Sequence, residues 1–299
     1  MSNPSFRASP GCGDIGERIR RRRDTQAKGK RFMTVGGKTE PRERMGTALD
    51  CLPCFVRQTL SAARLVSADS AVQEKIIREV LTKISRMDLS TSPAALAQEI
   101  HRRIREIVGR KDPYREAKDF QNRLALGFLP GLREKIDASP DPLSTAARLA
   151  VAGNVIDLGA PGEISEARVR ESIERAIAEP LAGEQDGFRD TILSARNILY
   201  LTDNAGEIAF DRLFIERLGP ARVTAAVRGA PVINDATMAD AQAVGLDRIV
   251  EVIDNGSDAP GTLLEDCSPE FRRRFAAADL VLAKGQGNFE TLGRHPGKI

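Results

Sequence analysis

The chain has 299 residues, a formal net charge of +3, 41% hydrophobic and 4% aromatic residues, and no Trp. No run of about 18 apolar residues could span a bilayer, and the charged N-terminus lacks the apolar block of a secretory signal, so a cytoplasmic protein with no membrane partner is expected. Residues 1–44 hold 12 Lys/Arg against 5 Asp/Glu and the remainder 33 against 37, which confines the basicity to the leading segment and, with stacking aromatics scarce, argues against nucleic acid as a partner.

That segment contains "RIRRRRDTQAKGKR" (Arg18 to Arg31). Its polar, glycine-containing composition cannot offset the entropy of ordering, so 1–44 reads as a basic extension, disordered or artefactual. A helical domain is expected over 45–150. It opens on Cys51-Leu-Pro-Cys54, one pair among the four cysteines Cys12, Cys51, Cys54 and Cys267. Val72, Ile76, Ile77, Val80, Leu81 and Ile84 form one helical stripe, and Ile100, Ile104, Ile107 and Val108 form another. Ser/Asp at 67–70 and Ser92-Pro93 mark helix starts, and Asp112-Pro113 marks a third. His101, next to Arg102, Arg103 and Arg105, reads as a solvated helix residue.

Over 151–299 the rhythm changes. Short β-rich runs at 197–201, 222–227, 248–253 and 279–283 alternate with helical stretches at 208–218, 236–244 and 269–277. This spacing predicts βαβ units and a parallel sheet. In such sheets ligands bind at the carboxyl ends of strands. Here those ends carry Asp203, Asn204, Gly206 and Glu207; then Arg228, Asn234 and Asp235; then Asp254, Asn255 and Gly256; then Lys284, Gly285, Gly287 and Asn288.

Asp and Asn oxygens without His or Cys suit a hard ion such as Mg²⁺ or Mn²⁺, and a phosphate-type ligand with it. Lys284 or Arg228 and glycine-loop N–H groups would hold phosphoryl oxygens, and Glu207 would act as general base or orient a water. Each feature also has a local alternative: Asp203 or Asp235 as a helix N-cap, Glu207 as a capping-box partner, "DNGSDAPG" as a turn-rich loop.

Taken in order, "CLPCFVRQTLSAARL", "DPYREAKDFQNRLAL", "LAVAGNVIDLG", "LYLTDNAGEIAFDRLFIERL", "VRGAPVINDATMADAQAVGLD", "NGSDAPGT" and "ADLVLAKGQGNFETL" closely resemble the damage-control metallophosphatases, in the bacterial and archaeal branch with a CxxC near its start. The resemblance covers about Leu49 to Leu292. It implies an α/β fold in which a helical N-terminal domain packs on a Rossmann-like α/β/α domain with a mainly parallel sheet. It also implies a divalent metal (Mn²⁺, Mg²⁺, Co²⁺ or Ni²⁺) and hydrolysis of small phosphorylated metabolites, sugar phosphates or damaged cofactor phosphates, by a metal-activated water. The metal ligands it implies are Asp203, Asn204 and Asp235. Asp203, Glu207 and Lys284 fall at catalytic positions. Asn204, Gly285, Gly287 and Asn288 fall at substrate-binding ones and Asn154 and Asp157 at pocket-lining ones, and Arg228, on the strand-end chemistry above, joins the substrate-binding set. At about Gly293 the resemblance ends in "GRHPGKI", where family members continue through a further strand and a lysine-bearing segment. On that reading the 151–299 domain is shortened at its C-terminus.

Three rival readings remain. Cys51 and Cys54 form a candidate thiol pair, although no strand precedes them as a thioredoxin-like motif requires. A haloacid-dehalogenase-type enzyme would use Asp203 as nucleophile with an acid two positions on, where this chain has Ala205. A non-catalytic metal- or phosphometabolite-binding protein, or an inactive shortened homologue, would keep the site without turnover. The sequence does not assign an oligomeric state.

Overall fold

The computed structural model describes residues 46–156, 166–179, 187–293 and 299. The 1–44 extension, Asp157 and the 294–298 segment lie outside the described residues. Among the described residues five helices come first: α1 (Cys51–Val66), α2 (Ser70–Ile84), α3 (Pro93–Val108), α4 (Arg115–Asp137) and α5 (Pro142–Ala152), the last running into a 3₁₀ turn over Gly153–Ile156. Their starts follow local chemistry. The Asp69 side chain accepts from Ala71 N, and that of Ser92 from Ala95 N with Pro93 at the first helical position. Asp112 differs from expectation: its carboxylate accepts from Tyr114 N at 3.1 Å, closing a turn, and α4 begins only at Arg115.

The stripes Ile76/Val80 and Ile100/Ile104 meet Phe55, Ala63 and Tyr114 in one buried cluster. His101 belongs to this interior and is not solvated. It is 1% exposed, its Nδ1 lies 2.8 Å from Tyr114 Oη, and burial drives its pKa down to about 3. The arginines beside it find acidic partners elsewhere: Arg103 pairs with Glu79 and Glu106, and Arg102 and Arg105 pair with Asp258. The imidazole itself turns into the core, where Arg105 adds to burial in disfavouring its charge.

Two further helices, α6 (Glu166–Ala178) and α7 (Phe188–Ser194), lead into a four-stranded parallel sheet of β1 (Ile198–Leu201), β2 (Val223–Val227), β3 (Glu251–Asp254) and β4 (Leu280–Ala283) in the order β3-β2-β1-β4. Every residue of β1 and β2 is buried, as a sheet covered on both faces requires. Ile198 and Tyr200 face a core shared with α4, α5 and α8 (Glu207–Leu218). Leu199 and Leu201 face a second core with Phe271 and Phe275 of α10 (Pro269–Ala277) and Leu292 of α11 (Gln286–Leu292). The third strand starts at Glu251 rather than 248, because Ile249 and Val250 donate back to Leu246 O in a turn.

After β1 the chain moves to β2 on one side, and it later returns to place β4 on the other. The order therefore reverses at β1. A crevice opens outside the carboxyl ends of the strands that flank such a reversal, which are here β1 and β4.

Candidate functional site

The loop after β1 and the loop after β2 are joined by backbone bonds. Asn204 and Asp235 form an isolated antiparallel bridge, Ala205 N donates to Asn234 O at 2.8 Å, and Ala236 N donates to Asp203 O at 2.7 Å. This pairing brings Asp203, Asn204 and Asp235 together from positions 32 residues apart. Ile233, beside them, has φ of 43°, a left-handed conformation rare for a β-branched residue and the kind of strain that persists where neighbours over-determine it. None of the candidate acids is a helix cap. Gly206 is the N-cap of α8, and Thr237 with Asp240 caps α9 (Met238–Ala243) in a capping box. The local alternative therefore does not account for Asp203 or Asp235.

Arg228, 3% exposed, lies between the acids. Its Nε donates to Asp235 Oδ2 at 2.6 Å, its Nη1 reaches Asn288 Oδ1 at 3.3 Å, and its Nη2 is 3.7 Å from Asp203 Oδ1 with no hydrogen-bond partner of its own. Burial, with Asp235 and Glu207 pushing the same way, raises the Asp203 carboxyl well above the usual carboxylate range despite Arg228 and Lys284. An ionised Asp203 thus lacks positive charge that a divalent ion would supply. Asn204 Nδ2 donates to Asp203 Oδ2 and Glu207 Oε2, which leaves its amide oxygen as the atom able to face a cation.

The donor set of two carboxylates and one amide is entirely oxygen. It suits an ion that retains waters and shares substrate oxygens, as Mg²⁺ or Mn²⁺ does. It is not a closed cage: no group of three His, Cys, Asp or Glu among the described residues could hold a metal.

Lys284 follows β4 and points back into the crevice. Its Nζ donates to Ala150 O at 2.9 Å, to Asp211 Oδ1 at 2.8 Å and to Glu207 Oε1, so all three protons are committed. Burial opposes its charge, but Asp211 and Glu207 outweigh that and hold its pKa above the ordinary lysine range. Asp211 also accepts from Tyr200 Oη at 2.8 Å, and burial pushes its carboxyl up to about 6. Lys284 therefore bears on Glu207 and has no proton free for a phosphate.

Gly285 (φ 86°) is required because a Cβ would stand inside the Asp203 carboxylate. Gly287 instead lies against the backbone of Pro260 and Gly261. Asn288 is fully buried, accepting from Thr262 Oγ1 at 2.8 Å and Arg228 Nη1, and donating to Lys284 O and Thr202 O. It braces Arg228. Asn154 is exposed in the 3₁₀ turn, on a groove lined by Arg148, Arg168 and Arg175 that none of the strand-end residues line. Cys51 and Cys54 are free thiols in the first turn of α1, half-buried and exposed respectively.

Sequence reasoning missed the layer behind these residues. Asp211, Lys118, Gln121, Asn122 and Asp240 are all buried: Asp211 accepts from Lys284, Asn122 from Gly206 N, Lys118 and Asn122 hold Asp240, which accepts from Thr237, and Gln121 donates to Ile156 O. A signal was present: Lys118, Gln121 and Asn122, at helical spacing, put a polar stripe on a helix whose apolar residues do not account for it. A cavity of about 780 Å³ with Arg196, Arg222, Arg248 and Arg274 on its walls opens at the opposite, amino-terminal edge of the sheet, away from this chemistry.

A family model described as the damage-control phosphatase ARMT1-like domain matches residues 47–298, running past Gly293. The chain is 38% identical over 248 residues to a damage-control phosphatase of Archaeoglobus fulgidus, covering 81% of this chain and 85% of that one. It is 36% identical over 262 residues to an uncharacterised protein of Methanocaldococcus jannaschii (84% of each) and 30% identical over 255 residues to a damage-control phosphatase of Pyrococcus horikoshii (83% and 86%). The crystal structure of a DUF89 family protein from Pyrococcus horikoshii superposes with a TM-score of 0.74 at 29% identity, over 83% of this chain and 87% of that one.

Proposed function

The chain belongs to the damage-control phosphatase ARMT1-like family, and from that premise we propose that it is a divalent-metal-dependent phosphatase. Its substrates are small phosphorylated metabolites, either sugar phosphates or damaged cofactor phosphates, and it works in the cytoplasm. The observation that carries the reading is the Asn204–Asp235 bridge, which assembles two carboxylates and an amide beside Arg228 at the reversal of the sheet.

Asp203, Asn204 and Asp235 would hold the ion, which when bound polarises a phosphoryl oxygen and makes a water more acidic. Arg228 Nη2, buried and without a hydrogen-bond partner, donates to a phosphoryl oxygen. Glu207, held by Asn204 Nδ2 and Lys284 Nζ, orients the attacking water and accepts its proton. Lys284 contributes through Glu207. A covalent route through Asp203 lacks its acid, since Ala205 is apolar and fully buried. No helix among the described residues is long and apolar enough to cross a membrane.

The test is phosphate release from a panel of sugar and cofactor phosphates. Chelator-stripped protein is reloaded with Mg²⁺, Mn²⁺, Co²⁺ or Ni²⁺, alongside Asp235→Ala. Turnover restored by metal and absent in the variant is expected. Metal binding without turnover on any substrate would replace the phosphatase by a binding protein.

A further inference from the structure

Asn122 lies in the second turn of α4, 2% exposed, in the helical half of the molecule. It has bonds at both ends of its side chain. Its Oδ1 accepts from Gly206 N at 2.7 Å, and its Nδ2 donates to Asp240 Oδ1 at 2.9 Å. The amide's orientation follows from its partners, because a backbone N–H can only donate and an ionised carboxylate can only accept.

Each partner sits directly behind one of the paired loops. Gly206 closes the turn that begins Asp203-Asn204. That turn lies so close to the helical half that a Cβ on Gly206 would stand 2.7 Å from Ile156 Cγ2 and 3.0 Å from Gln121 Cβ. Asp240 Oδ2 accepts from Thr237 N at 2.9 Å and Thr237 Oγ1 at 2.7 Å, fixing the residue two positions after Asp235. Lys118 and Arg115, from the same face of α4, complete the hold on Asp240.

The bridge between Asn204 and Asp235 joins the two loops to each other. It does not anchor that pair to the rest of the molecule. Asn122 bonds the first loop directly at Gly206 and reaches the second through Asp240 of α9, which holds Thr237, so a side chain of only two rotatable bonds ties the two loops together from outside.

We infer that Asn122 is a positioning residue that holds the Asp203–Asn204 loop and the Asp235 loop at the separation a divalent ion needs. The inference rests on the metal site proposed above. Partners behind metal ligands commonly change affinity by about 10- to 100-fold when removed.

The experiment measures Mn²⁺ binding to the chelator-stripped full chain by calorimetry, and amide hydrogen exchange without metal, in wild type, Asn122→Ala, Asn122→Asp and Gln98→Ala. For Asn122→Ala the expected results are Mn²⁺ affinity weakened about 10-fold or more and faster exchange in both 203–207 and 235–240. Asn122→Asp keeps the acceptor for Gly206 N but sets a carboxylate against Asp240, so exchange should rise in 235–240 alone. It carries the test should the alanine variant not fold. Gln98 also joins the two halves, through Asp258 and Asp266, but touches neither ligand loop; Gln98→Ala should keep its Kd within about twofold.

Wild-type Mn²⁺ binding with an unchanged Kd in both Asn122 variants would overturn the positioning role and leave the metal site standing. An equal weakening in Gln98→Ala would overturn it as well, by making the effect one of general loosening. Absence of Mn²⁺ binding in wild type would overturn the metal site and this inference together, whatever the exchange pattern.

Discussion

At the scale of single residues, burial decides which charges are available. Lys284 illustrates this: a lysine beside a glycine loop suggests a phosphate contact, yet its three protons go to Ala150 O, Glu207 and Asp211. Lys284→Met should leave two buried acids uncompensated and cost about 3–5 kcal/mol in urea unfolding. Adding Asp211→Asn should recover part of that loss, because it removes one of the acids. His101 yields a pH prediction. Its folded pKa, about 3, lies below the unfolded value, so as pH falls through about 6.5 the unfolded chain takes a proton that the folded chain refuses. Stability should therefore drop towards acid by up to about 1.4 kcal/mol per pH unit between roughly pH 6.5 and 4. His101→Gln should flatten that slope in chemical denaturation. The identity of Asp203, Asn204 and Asp235 as candidates was legible in the sequence, since hard oxygen donors at strand ends are a chemical pattern. The state of Lys284 and His101 was not, because burial depends on which face of a neighbouring element is turned towards them.

At the scale of elements, caps and strand ends were readable because they are local. Asp69 and Ser92 with Pro93 start their helices as hydrogen-bonding rules require. Ser92→Ala should cost about 1 kcal/mol by thermal or urea unfolding. The start of α11 is governed by a different constraint, the approach of Gly285 to Asp203. Gly285→Ala should displace the Asp203 carboxylate and weaken Mn²⁺ binding measured by calorimetry, with the circular dichroism spectrum of the helices retained. Asp258, in the loop after β3, accepts from Gln98, Arg102 and Arg105 of α3. Burial raises its carboxyl, but those bonds outweigh it and hold the pKa down to about 2. Asp258→Ala should cost about 1.5–3 kcal/mol. Periodicity located α3 and the Asp112-Pro113 start signal located α4, but neither could show that their polar faces turn inward, since an inward polar face looks like a solvated one until its partners are known.

At the scale of the whole molecule, the helical half and the sheet half are joined through buried polar bonds as well as apolar packing. Lys118 and Asn122 reach Asp240, Gln98 reaches Asp258, and Lys284 reaches Ala150 O. The described residues all fall within one compact unit, 42–299. We expect one cooperative unfolding transition. The chain has only two tyrosines, Tyr114 in the helical half and Tyr200 on β1, so Tyr114→Phe and Tyr200→Phe leave one fluorescent reporter in each half. Coincident urea transitions are expected, and separated ones would show two folding units.

The sequence by itself determined the α/β class, the alternation of strands and helices, most helix starts, and the residue types that gather at the strand ends. All of these depend on periodicity or on bonds between near neighbours. Only the tertiary structure decided that the chain reverses at β1, that Asn204 pairs with Asp235 across 31 positions, that Lys284 bonds Glu207, and that Asn122 joins Gly206 to Asp240. Each of those depends on the separation of groups distant in the chain, a quantity that exists only once the two halves have packed.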